Sequence, residues 1–361
     1  MIGKALVMQS RALLACVLLC GELSSAREVR VGVLGLFHPD AIKLSATRGE
    51  VLKVSAVEKT FFLESSPRSS GAEIRASGNG LMLIVDGQII EAPEIRASDR
   101  SGGAATFVLG IQEKVSRKYR GTLAVKAEEG VVVPIVTMDL ETAVASAVEA
   151  ESAPETPLEG LKAQAVVARS YFVAGGGRHH NFDFCDLTHC QFLREPPNAD
   201  SPAAIATRET RGLVVTFEGK TVATMFTRSC GGRTRTPAEL GLPSNGYPYY
   251  AVVCDVCYKD PTRWSRRVSR EDAGRLADRG EAGRLALDRK LGWNAVRSNN
   301  FKAREESGEV FLEGVGQGHG IGLCQRGAKG MAEAGASFQE ILGHYFPNTQ
   351  ITALTGLDRS R

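Results

Sequence analysis

The chain has 361 residues, 43% of them hydrophobic and 24% charged, with a formal net charge of +3. It is long enough for two domains and ordinary in composition for a folded protein. It is too weakly basic for a nucleic-acid binder, which concentrates Lys and Arg on one face.

Residues 1–26 read as a signal peptide. Lys4 and Arg11 lead into the short apolar run ALLACVLLCG, and Ser24 and Ala26 are the small residues that precede a cleavage point. A bilayer span takes about 20 apolar residues. This run is shorter and no longer one follows, so the expectation is an exported protein of the periplasm or cell envelope, without a stable transmembrane anchor after cleavage. Cleavage would remove Cys16 and Cys20 and leave Cys185, Cys190, Cys230, Cys254, Cys257 and Cys324. An even count in an exported chain makes disulfides the default that any metal site must displace.

Residues 27–112 alternate apolar and polar in short runs such as EVLKVSAV and LMLIVDGQII, the latter with Asp86-Gly87 as a hairpin signal. This is a β-rich N-terminal region. Helical texture begins near Asp139 with DLETAVASAVEAES, and a stronger helix follows in TPLEGLKAQAVVARSYFVAGGG. There Thr156 is placed as N-cap, Pro157 as the first helical residue and Glu159 as the capping-box partner. Leu158, Leu161, Ala165, Ala168 and Phe172 form one apolar stripe, and Gly175 to Gly177 end it. GLVVTFEGKTVATMF reads as a strand pair turning at Glu218-Gly219. Arg270 to Leu291 reads as a charged helix with a solvated face, and Ser337 with Glu340 as a capping box before the last helix, which Pro347 stops. The fold class expected is α+β, with residues 113–361 forming a mixed α/β domain behind the β-rich region.

Three stretches carry chemistry. HHNFDFCDLTHCQF gathers His179, His180, Cys185, His189 and Cys190 within a few positions. Gly314, Gly316, Gly318, Gly320 and Gly322 alternate around His319, leaving one face without side chains if the strip is extended. No Gly-Lys-Ser/Thr ending makes this a phosphate loop. SCGGRT, from Ser229 to Thr234, places Cys230 as a thiol nucleophile served by His319 or His344, which would make a peptidase. Alternatively Cys230 joins Cys254, Cys257 and Cys324 in disulfides or a four-thiolate zinc site, and spacing leaves both open.

GLKAQAVVARSYF, SCGGRT and GVGQGHGIGLCQRGA, in that order, resemble the SpoIID/LytB family of stage II sporulation protein D and amidase-enhancer relatives. YRGTLAV from Tyr119, DLETAVASAVEAES and ILGHYFPNT extend the resemblance over roughly residues 118–349. It implies a substrate groove and lytic transglycosylase activity on peptidoglycan glycan strands, in sporulation members strands already stripped of stem peptides. The MurNAc–GlcNAc linkage is cleaved without water, leaving a 1,6-anhydro end. The family's catalytic glutamate falls on Glu159. One carboxyl group suffices, whereas hydrolytic glycosidases use two. A helix N-terminus lowers a carboxyl pKa, so burial or another acid such as Glu151 would have to compensate.

Arg169, on the polar side of the Glu159 helix, reads as a structural or sugar-binding donor, since a guanidinium there can hold several hydrogen bonds. The resemblance implies substrate contacts from Ser229, Gly231, Gly232, Thr234, Gly318, His319, Gly320 and Gln325. A structural Zn2+ is implied at His179, Cys185, His189 and Cys190, with His180 as an alternative ligand and a Cys185–Cys190 disulfide as the rival to a metal. Four protein ligands leave no open position. Amidase-enhancer relatives supply the rival reading, a non-catalytic wall-binding modulator partnered with a cell-wall amidase. Many relatives carry Ser where this chain has Cys324.

Overall fold

Alternation of apolar residues builds strands through the first third of the chain: β1 (Glu28–Gly32), β2 (Ala41–Ala46), β3 (Val51–Ala56), β4 (Lys59–Glu64), β5 (Ala72–Ser77), β6 (Gly80–Val85), β7 (Gln88–Ala92), β8 (Ile95–Ser98), β9 (Ala105–Ile111), β10 (Val115–Glu128) and β11 (Val131–Asp139). The computed structural model describes residues 27–66, 71–177, 179–187, 190–244 and 246–354. The signal-peptide reading and His189 lie outside the described residues.

β10 holds these strands together. Up to Gly121 it pairs with β9; from Thr122 onward it pairs with β11 on one edge and, over Leu123–Val125, with β8 on the other. At the changeover a Cβ on Gly121 would collide with the Thr137 carbonyl, so the strand needs glycine to switch partners. One arm runs β9-β2-β5-β6-β7, and the other carries β11-β1 and β8-β3-β4. Leu44, Leu83, Phe107, Val125 and Val136 meet in one buried core. The sheet therefore runs through the position between residues 112 and 113. Asp86 and Gly87 take the paired positive φ values, 49° and 75°, of a two-residue hairpin turn, as expected.

The same core continues into α1 (Leu140–Glu151) and α2 (Leu158–Ala174), through Val144, Val148, Leu161, Ala165 and Phe172. Asp139 caps α1 by accepting from the Glu141 and Thr142 amides at 2.9 and 3.3 Å. The capping box expected at Thr156 does not form. Pro157 is the N-cap of α2 without a side-chain bond, and the Thr156 hydroxyl donates instead to the Ala153 carbonyl at 2.7 Å. Thr156 thus closes the turn before the helix.

Beyond α2, the short β12 (Phe184–Cys185) adds in parallel to β1, and α3 (Pro202–Glu209) packs on α1 and α2. β13 (Leu213–Phe217) turns at Glu218-Gly219 into β14 (Lys220–Thr221), then β15 (Phe226–Thr227) and α4 (Asp255–Lys259) follow. β16 (Arg263–Val268), α5 (Arg270–Leu291), β17 (Phe301–Glu306) and β18 (Glu309–Val315) form a lobe with its own small core around Trp264 and Leu312. α5 is more than a solvated face. It breaks at Gly280, and Arg284 is buried between Glu281 and Asp288, with contacts of 2.6 and 2.9 Å. β19 (Leu323–Cys324), α6 (Gln325–Glu333), α7 (Phe338–Tyr345) and β20 (Gln350–Ala353) complete the chain, and the Ser337–Glu340 capping box of α7 is present. The architecture is α+β, β-rich at its N-terminal end. Among the described residues no helix is long and apolar enough to cross a membrane.

Candidate functional site

α1 ends on Glu151, where four stretches of chain converge. The carboxyl accepts from the Phe192 amide at 3.2 Å. The main-chain carbonyl of the same residue accepts from the Arg228 guanidinium at 2.8 Å and from the Gln325 side-chain amide at 3.1 Å. Burial pushes the Glu151 carboxyl up to about 7, against the opposing pull of the Phe192 amide and the Arg228 and Arg194 charges. Both arginines are exposed. Sequence reading passed over them. Arg228 directly precedes SCGGRT, which was the available signal, but nothing in the spacing places Arg194 here.

Glu159 differs in every respect. Its carboxylate accepts from Lys162 Nζ at 2.8 Å and from the Phe338 amide, the first of α7, also at 2.8 Å. Burial alone would raise its pKa, but Lys162 and the Phe338 amide outweigh it and hold the group below the usual carboxylate range. Glu159 caps a helix after all, though not its own. An ionised carboxylate pinned by a lysine does not suit a proton donor.

The glycine strip and the SCGGRT turn come together as β15 and β19 pair in parallel and Ser229 bridges Gln317, with backbone bonds of 3.0 and 2.8 Å. The strip is not an extended strand: Gly316, Gly318, Gly320 and Gly322 all have positive φ. At Gly322 a Cβ would run into the Met225 carbonyl, so the missing side chains admit this protein's own backbone. Thr227 Oγ1 stitches the two segments, donating to the Gln317 carbonyl at 2.9 Å and accepting from the Gly320 amide at 3.1 Å.

Several expected substrate contacts are used internally. Arg169 is fully buried, forming a bidentate pair with Glu141 at 2.9 and 2.6 Å and bonding the Leu213 and Thr207 carbonyls. It offers nothing to a ligand, and its role is to lock α2 to α1 and β13. Ser229 is buried against Cys257 and Thr262, and Thr234 holds the Val252 amide. Gly231 packs on Val315, Gly232 accepts from the Cys254 amide, and Gly320 is buried. Gln325 reaches Gln164 at 3.4 Å as well as Glu151. Gly318 and His319 are half-buried, and His319 Nδ1 accepts from the Ile321 amide at 3.0 Å.

In the histidine–cysteine knot, β12 carries Cys185 against β1 while His179 Nε2 lies 3.3 Å from Cys190 Sγ. His179, Cys185 and Cys190 bring one ligand atom each to within 4.8 Å of one another. Buried Asp186 fixes the turn by pairing with Arg117 at 2.9 Å and accepting from the Leu34 amide at 3.0 Å. His180 is exposed.

Residues 128–217, from the end of β10 through β13, match the family model described as SpoIID, stage II sporulation protein. Over this quarter of its length the chain is similar to the SpoIID family. Glu151, Glu159, Arg169 and the knot all fall within the SpoIID match, whereas SCGGRT and the glycine strip lie beyond it. An uncharacterized protein of Brachyspira hyodysenteriae is 26% identical over 65% of this chain and 72% of its own length. Stage II sporulation protein D of Bacillus amyloliquefaciens is 23% identical over 65% of this chain and 83% of its own. The Amidase enhancer of Bacillus subtilis is 38% identical over 63 residues, 18% of this chain and 9% of that protein.

C-terminal to the SpoIID match, Cys230 lies buried beside three other sulfurs. His344 Nε2 is 2.9 Å from the Val253 carbonyl, so the thiol-peptidase arrangement with that histidine is not formed.

Proposed function

We propose that this chain is an exported enzyme of the cell wall, a lytic transglycosylase acting on peptidoglycan glycan strands, with Glu151 as its general acid–base. The observation that carries this reading is the Glu151 carboxyl itself. It is raised to about 7 by burial at the junction of α1, the Arg228 turn and the start of α6, and general acid–base catalysis is most efficient when the pKa lies near the working pH.

Protonated Glu151 donates to the glycosidic oxygen as the bond from that oxygen to the anomeric carbon breaks. The resulting carboxylate takes the proton of the sugar 6-hydroxyl as its oxygen bonds to the same carbon. One proton leaves Glu151 and one returns, no water is consumed, and the product is a 1,6-anhydro end. Exposed Arg228 and Arg194 beside this carboxyl suit a substrate bearing free carboxylates. Removing stem peptides exposes such a group on every MurNAc lactyl ether, which supports stripped strands as the substrate. In this reading Glu159 positions α7 against α2. Zn2+ at His179, Cys185 and Cys190 would fix the turn from which Phe192 and Arg194 approach Glu151, with His189 completing the ligands.

The name Amidase enhancer on one relative favours a second reading, a wall-bound modulator without activity of its own. Mass spectrometry of products from intact and amidase-stripped peptidoglycan separates the two. The enzyme alone should release anhydro ends from stripped strands, Glu159→Gln should retain this, and Glu151→Gln should lose it. Full activity in Glu151→Gln would remove the acid–base assignment, and inactivity of the wild-type protein on both substrates would favour the modulator.

A further inference from the structure

Four cysteines with no part in the glycan chemistry come together from three separate stretches of chain. Cys230 follows the Ser229 turn, Cys254 and Cys257 sit at the start of α4 with the two-residue spacing of a metal knuckle, and Cys324 is the N-cap of α6. All four are at most 3% exposed, and each sulfur lies within 4.8 Å of the other three. Cys257 and Cys324 are 3.6 Å apart.

This spacing discriminates. A disulfide brings two sulfurs to about 2.05 Å, and none joins these residues among the described ones. A tetrahedral ion at about 2.3 Å from each sulfur sets the sulfurs about 3.8 Å apart. An iron–sulfide cluster interposes several atoms between its cysteines and needs a wider cage.

The surroundings suit thiolates better than thiols. Cys324 Sγ accepts from the Cys230 and Gly327 amides at 3.3 and 3.4 Å, Cys254 Sγ from the Tyr345 hydroxyl at 3.4 Å, and the Ser229 hydroxyl lies 3.4 Å from Cys257 Sγ. A neutral thiol is a weak acceptor. Donors converging on three of the four buried sulfurs offset the negative charge of a metal–thiolate centre. Any side chain at position 327 would collide with Tyr345 and Cys254, so the shell around the sulfurs has no slack.

We infer that Cys230, Cys254, Cys257 and Cys324 form a structural Zn2+ site, separate from the histidine–cysteine knot. On binding, four S–H groups release their protons to solvent and four Zn–S bonds form. Zinc remains divalent and no electron is transferred. Four protein ligands close the coordination shell, which excludes a catalytic water. The site fastens the Ser229 turn, α4 and the start of α6 at one point, and so fixes the segments that bring Arg228 and Gln325 to Glu151. It does not depend on which reaction occurs there.

The test uses the full mature chain with the knot disabled by Cys185→Ser and Cys190→Ser, purified without added chelator. Elemental analysis should find one zinc per chain, and X-ray absorption at the zinc edge should show four sulfur neighbours. Iron in place of zinc, mixed sulfur and nitrogen neighbours, or no metal with disulfides among these four cysteines in non-reducing peptide mapping would overturn the inference. If that variant does not fold, cobalt substitution is done in the wild-type protein, which should bind two equivalents. Sequential loading should then resolve one component with the tetrahedral all-sulfur spectrum and one with mixed ligands. A single equivalent with mixed ligands would equally overturn it.

Discussion

Arg228 donates to the main-chain carbonyl of Glu151 at 2.8 Å, so a fixed positive charge stands beside a carboxyl that burial has pushed up to about 7. The two effects oppose each other, and burial prevails. In the folded protein this carboxyl keeps its proton well above the pH at which it would lose it in the unfolded chain.

The raised pKa has a sign that can be measured. A group whose folded pKa exceeds its unfolded value favours folding below the unfolded value, and that advantage is lost as pH rises through the folded one. For Glu151 the window runs from 4.5 to about 7. Glu151→Gln mimics the protonated form, so its Tm relative to wild type should rise across this window and level off above it. A flat difference from pH 4 to 8 would contradict the assigned burial. Activity should follow the same group: glycan cleavage should fall as pH rises beyond about 7, and Glu151→Gln should reduce it by roughly a hundred- to ten-thousand-fold.

Glu159 should behave in the opposite way. Its lowered pKa stabilises the fold above the usual carboxylate range, and this is lost on acidification. The group is about one-third exposed, and Gln can still accept from the Phe338 amide, so Glu159→Gln should cost no more than about 1 kcal/mol at neutral pH. Denaturant melts should show the two proteins converging in acid.

Arg169 should be among the most sensitive positions for stability. Its guanidinium is fully buried and makes two bonds to Glu141. Truncation to Ala leaves Glu141 facing a cavity and should cost about 3–5 kcal/mol. Arg169→Lys should recover little of this, because an ammonium cannot supply the planar two-pronged contact. Equilibrium unfolding of the three proteins measures both effects. A loss confined to substrate affinity, at unchanged stability, would restore the sugar-binding role.

The knot should respond to metal removal. His179→Ala should lower zinc content by one equivalent per chain and reduce Tm, while His180→Ala, at an exposed ring, should change neither. The opposite pattern would make His180 the ligand.

Local signals were legible where they depend on neighbours in sequence. The Asp86-Gly87 and Glu218-Gly219 turns, the Ser337–Glu340 box and the apolar stripe of α2 from Leu161 to Phe172 form as the pattern indicates, but Leu158, read as the first residue of that stripe, is exposed at the helix start. What failed depended on contacts from far along the chain. Thr156-Pro-Leu-Glu159 has the composition of a capping box, yet Glu159 is drawn to an amide 179 residues away. Arg169 reads as a polar residue near the motif, but Glu141 and the Leu213 carbonyl bury it. The charge pattern of α5 gave no hint that Arg284 is buried, because Glu281 and Asp288, its neutralising partners, are what permit burial. Burial raises the Glu151 carboxyl while Lys162 and the Phe338 amide lower that of Glu159, and both the burial and the Phe338 contact are properties of the assembled fold.

The pairing of β12 with β1 bears on the order in which this protein takes shape. The Arg30 amide donates to the Asp183 carboxylate across 153 residues of chain, and Val31 and Gly32 align with Phe184 and Cys185. A ribosome must therefore release half the polypeptide before its first strand has both neighbours. Until then one edge of β1 stays open, inviting mispairing with other nascent chains. The knot is the segment that closes it, and slow or failed closure would show first as aggregation during synthesis rather than as a defect in the finished molecule.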